Sequence, residues 1–119
     1  MNNDKAIVLA MASGAAANFR PNPFYRERPV EAAYLALRRF LADHYPAVTN
    51  DILDIGPASA ERQAILEKQL RDSGAAADPK VRASAGRLAR LILRKNPDAA
   101  PAVFADINNL HEAATVLNN

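Results

Sequence analysis

Between one proline and the next, the apolar residues of this chain recur three and four positions apart, a spacing that leaves little besides helices to fold into. Pro29 is followed by Val30, Tyr34, Leu37 and Leu41, and Pro79 by Val81, Ala85, Leu88 and Ile92. Pro101 is followed by Val103, Ile107, Leu110, Ala114 and Leu117. A helical turn gathers such positions onto one face, whereas a half-buried strand needs strict alternation. No alternating run of β-branched residues occurs anywhere in the sequence. The expectation is an all-α fold, a single compact bundle of five to six helices spanning residues 1–119. A chain of this length suits one domain and buries roughly two thirds of its unfolded surface.

Capping chemistry sets the expected boundaries. The first helix is predicted over residues 4–18 with Asn3 as N-cap. The stretch "RPNPFYRERP" carries Pro21, Pro23 and Pro29, so residues 21–29 read as an irregular connection with Phe24 and Tyr25 tucked against the bundle. Pro29 opens the second helix, whose stripe Ala33 and Phe40 widen, and Pro46 ends it. A short third helix is predicted over residues 51–55, capped by Thr49 or Asn50 and stopped by Gly56 and Pro57. Ser59 caps the fourth, which carries Ala60, Ile65, Leu66 and Leu70 and closes on Gly74 at its C′ position. Asp78 caps the fifth, with Pro79 at its first position and Asn96–Pro97 at its end. Asp98 caps the sixth, where Pro101 is tolerated in the first turn.

The run "AIVLAMASGAAA", residues 6–17, has three competing readings: a core helix, a membrane-active helix or a targeting signal. It is too short to span a bilayer, which takes roughly 20 apolar residues. Asp4 beside Lys5 weakens a secretory signal, although "ASGAAA" resembles a small-residue cleavage region. The plain reading is a core helix built from alanine so that its neighbours pack close. The sharper reading is a membrane-active helix that leaves the bundle, with Ile7, Val8, Leu9 and Met11 entering lipid and Ala12, Gly14 and Ala16 allowing close helix association.

No reaction centre is legible. There is no cysteine, hence no disulfide, thiolate metal site or cysteine nucleophile, which fits a reducing cytoplasm. His44 and His111 belong to no H-E-x-x-H motif and read as helix-surface residues. Ser13 before Gly14 lacks the first glycine of a nucleophile elbow, and no phosphate-cradling glycine loop occurs. Asp51 and Asp54 are too few oxygens for a hard cation, and Asp51 reads as first-turn stabilisation of a helix dipole. No catalysis, cofactor, metal or small-molecule substrate is expected.

The strongest candidate surface is basic. Arg87, Arg90 and Arg94 lie three and four residues apart in the fifth helix, with Arg82 and Lys95 in the same element. Arginine meets carboxylate or phosphate in bidentate fashion. The net charge is only +2 and no aromatic interleaves the arginines, which favours a plain solvated face, or an acidic protein partner or self-association, over nucleic acid, with anionic lipid as a further option. Glu61, Glu67 and Asp72 read as an acidic face of the fourth helix that pairs with the arginines within the fold or between copies. Val103, Ile107, Leu110 and Leu117 form a stripe for a partner helix if the bundle leaves it uncovered.

An alanine-rich first helix, then "AYLALRRFLADHYP", then "GPASAERQAILEKQLRDSGAAADPKV" and an amphipathic "RLARLIL" together resemble the small helical N-terminal domains of bacterial defence and signalling proteins, of the effector-associated, Bell or HeLo-like type. The resemblance implies a helical module for self-association or homotypic signalling and, in some relatives, membrane permeabilisation by the first helix. The proline-rich connection departs from the pattern, and no effector or amyloid-like motif follows, so the module is expected to act alone or as one piece of a system.

Overall fold

In the computed structural model, the described residues are 1–18, 28–95, 97 and 108–118. They form five α-helices: α1 (Asn3–Asn18), α2 (Arg28–His44), α3 (Ala60–Asp72), α4 (Pro79–Lys95) and α5 (Asn108–Leu117), with a 3₁₀ turn at Ala75–Ala77. No strand occurs among the described residues. The expected connection over residues 21–29 falls outside them up to residue 27, as do Asp98, Pro101, Val103 and Ile107.

The organising element is α1. Thirteen of its 16 residues are buried, and it packs against every other helix. A helix apolar around its whole circumference has no face to give to water, so the other four surround it. Alanine makes this possible, because a small side chain lets a neighbouring axis approach on any side. Gly14 marks the tightest place: a Cβ there would lie 2.7 Å from Tyr34 Cδ2 and 3.1 Å from Leu88 Cδ2. The N-cap is Asn2 in place of the expected Asn3, since Asn2 Oδ1 accepts from the Lys5 amide at 3.1 Å. Asp4, in the first turn, is buried and meets Arg71 of α3 at 3.2 Å.

The predicted stripes of α2 and α4 are the buried ones: Val30, Ala33, Tyr34, Leu37 and Leu41, and Val81, Ala85, Leu88 and Ile92. Phe40 is half-buried and stacks on His44, ring centroids 4.3 Å apart. In α3 only Leu66 and Leu70 face inward; Ile65 is 41% exposed, because its Cβ points about 100° away from the Leu66 direction. Caps follow the sequence. Ser59 Oγ accepts from the Arg62 amide at 3.2 Å, and Asp78 Oδ1 accepts from the Lys80 amide at 2.8 Å. Gly74 follows α3 in the left-handed region at φ 84°, where a Cβ is costly.

The expected helix over residues 51–55 is instead a run of turns. Its backbone bonds close over three residues, Ile52 N to Thr49 O at 3.2 Å and Asp54 N to Asp51 O at 3.1 Å. Five residues before a Gly-Pro stop cannot offset the cost of nucleating a helix. Asp51 therefore sits exposed in a turn with no helix dipole to stabilise.

Candidate interaction surface

Residues 45–59 make a dense set of side-chain hydrogen bonds, and these hold the chain to α2 and α3. Tyr34 Oη donates to Asp54 Oδ1 at 2.6 Å, and Arg38 donates to Asp54 Oδ2 at 2.7 Å and to Asn50 Oδ1 at 3.2 Å. The Arg38 guanidinium also lies 5.6 Å from the Tyr34 ring centre. From the other side, Arg62 donates to the Ile52 carbonyl, Gln63 to the Pro57 carbonyl, and Gln69 exchanges two hydrogen bonds with Thr49. Val48 and Leu53 plug this segment into the core. Burial, followed by the hydrogen bond to the Asp54 carboxylate, raises the Tyr34 hydroxyl well above its usual range. Asp54, expected to share a helix face with Asp51, is a latch between the turns and α2. No short-range sequence signal announces it, because its partners lie 20 and 16 residues away.

A second latch joins α2 to α4. Tyr45 Oη donates to Asp78 Oδ2 at 2.6 Å. That bond raises the Tyr45 hydroxyl and lowers the Asp78 carboxyl, the latter helped by the Lys80 amide. Because Tyr45 meets the start of α4 while Tyr34 and Leu88 both crowd Gly14, α2 and α4 run antiparallel. The C-terminal half of α4 therefore lies beside the N-terminal half of α2.

That half of α4 carries the basic face. Arg87, Arg90, Arg94 and Lys95 are all exposed. None of them makes an ion pair or hydrogen bond among the described residues. Arg87, Arg90 and Arg94 border one shallow depression with Leu91 between them. Cations here also complement the negative end of the α4 dipole. Arg82 points elsewhere; it is half-buried, and its Nε has no partner.

The acidic face expected on α3 does not exist as one surface. Asp72 is taken by Lys68, Asp72 and Lys68 being i,i+4 neighbours, and Arg71 by Asp4. Glu61 and Glu67, six residues apart, point about 120° away from each other around the helix. Nor does α3 lie against the arginines: it packs on α1 and the 3₁₀ turn, whereas α4 packs on α1, α2 and α5. The arginines make no ion pair among the described residues.

Ile7, Val8, Leu9 and Met11 lie in the core at no more than 2% exposure, and no helix among the described residues is long and apolar enough to cross a membrane. Leu110 and Leu117 are also buried, against α1 and α4, so this end of the proposed partner stripe is already covered by the chain itself. Val103 and Ile107 lie outside the described residues. His44 and His111 are exposed on their helices. No family model, curated protein or solved structure matches this chain.

Proposed function

We propose that the chain is a non-enzymatic helical interaction module that docks an acidic protein through the exposed face of α4. One observation carries the reading: four cations on neighbouring turns face solvent with no carboxylate partner among the described residues. Three cations elsewhere are paired, Arg38 on Asp54, Lys68 on Asp72 and Arg71 on Asp4, whereas these four stand together on one helix end with no such pair among the described residues. An unneutralised cluster at one place steers an oppositely charged partner and fixes its register. Self-association through this face would set like charges against each other, and no acidic counter-surface is assembled on α3, so the partner is a different molecule. The resemblance of the sequence to bacterial defence and signalling modules supports the same class of role.

The test is titration with a polyglutamate peptide at several salt concentrations. Binding that weakens as salt rises and is lost in the Arg90→Glu/Arg94→Glu variant supports the reading. No binding, or binding indifferent to the charge reversal, overturns it. So does tighter binding to duplex DNA or to phosphatidylglycerol vesicles than to the peptide.

A further inference from the structure

We infer that the acidic partner presents an amphipathic helix, which seats in the groove between α2 and α4 and reaches the arginines with its carboxylates. The inference rests on the α4 face meeting carboxylates and adds the shape of what carries them. The groove has a volume of about 470 Å³ and is lined by Ala32, Ala33 and Ala36 of α2 and by Ala83, Ser84 and Arg87 of α4. Arg87 is shared with the arginine depression, so an apolar floor runs directly into a cationic rim.

Three physical points select a helix. First, Ala32, Ala36 and Ala83 are exposed and small, so an incoming helix axis can approach to about 8 Å, the near end of the packing range. Second, Arg87, Arg90 and Arg94 rise by about 4.5 Å and then about 6 Å along α4. Carboxylates three and four residues apart on an aligned helix rise by the same steps, so one register serves all three arginines. An extended peptide repeats its same-face side chains every ~6.6 Å and falls out of step by the third. Third, the groove is lined by four alanines with Ser84 and Arg87, and that lining offers no aromatic for a base to stack on. A flat bilayer would reach the arginine tips and leave the alanine floor uncovered.

The experiment uses the full chain and a synthetic amphipathic peptide of about 18 residues, long enough to hold helical structure. The peptide carries Glu at positions i, i+3 and i+7 beside a Leu/Ala face. A second peptide has the same composition reordered so that no such face forms. The ordered peptide is expected to bind at least about tenfold more tightly than the reordered one. Ala36→Trp, and independently Ala32→Trp, fill the groove without adding or removing a charge. Each is expected to weaken the ordered peptide about tenfold while leaving polyglutamate binding unchanged. Both alanines are exposed, so the variants keep the wild-type melting transition. Equal binding of the two peptides, or groove-filling variants that bind like wild type, overturns the helical partner while the arginine reading stands. Loss of polyglutamate binding in the tryptophan variants overturns the separation of floor from rim. Absence of polyglutamate binding in the wild type removes the reading beneath.

Discussion

Replacing Gly14 by alanine sets two well-measured effects against each other. In a helix interior alanine is favoured over glycine by about 1 kcal/mol, so propensity alone predicts a more stable protein. Packing predicts the reverse. The new Cβ would fall 2.7 Å from Tyr34 Cδ2 and 3.1 Å from Leu88 Cδ2. Carbon atoms rest at about 3.5–4.0 Å, so the tyrosine ring would have to retreat by about 1 Å. It has nowhere to go: Tyr34 is fully buried, and its hydroxyl is held by Asp54 at 2.6 Å. Overpacking of this kind costs about 1–3 kcal/mol, and a ring pinned at both ends belongs in the upper half. The net expectation is a loss of about 1–2 kcal/mol after the propensity gain is subtracted. Urea denaturation followed by circular dichroism reads it as a lower midpoint at unchanged slope. Gly74→Ala is the comparison. It has nothing within 4 Å of the added carbon, but its φ of 84° makes the variant less stable by about 1 kcal/mol for a purely conformational reason. A Gly14→Ala protein as stable as wild type, or more so, would refute the claim that α1, α2 and α4 meet there at van der Waals limit.

Three further outcomes follow from the same structure. Tyr34 keeps its proton more firmly folded than unfolded, so its contribution is complete below about pH 10 and is lost as pH rises beyond that. Tyr34→Phe removes that hydroxyl, and alkaline unfolding monitored from pH 9 upward should become less steep. Asp78 runs the other way: its carboxyl is lowered by Tyr45 and by the Lys80 amide, so its contribution is present above about pH 4 and lost as pH falls. Asp78→Ala should therefore narrow the stability difference between pH 7 and pH 2, read by thermal melts. Val8→Asp places a carboxylate at a fully buried position of α1 and should cost several kcal/mol, abolishing the cooperative melt.

The periodic parts of the chain were the legible ones. Val30, Tyr34, Leu37 and Leu41 on α2, and Val81, Ala85, Leu88 and Ile92 on α4, announce their buried faces because a local period fixes them. Ser59, Gly74 and Asp78 were legible for the same reason, since a cap acts within one turn. The run around Val8 and Leu9 was ambiguous because a helix apolar all round has no period to read, and only the four surrounding helices show that it lies at the centre. What distant residues decide could not be read. Asp54 joins Tyr34 and Arg38 across a turn region, which turned an expected helix into a latch. Asp72 and Arg71 each find a partner that leaves α3 without an acidic face. Arg87, Arg90 and Arg94 were visible as a stripe, but that they face solvent beside an alanine groove, with no ion pair among the described residues, depends on how α2 and α4 cross.

The whole arrangement depends on α1 being the fixed axis of the bundle, around which α4 keeps its arginine face on the outside. Amide hydrogen exchange, resolved by helix and repeated with phosphatidylglycerol vesicles, addresses this directly. The amides of residues 6–17 should exchange last of all, with protection matching the global unfolding free energy and unaltered by lipid. Exchange of α1 ahead of α4, or protection that collapses when vesicles are added, would contradict it.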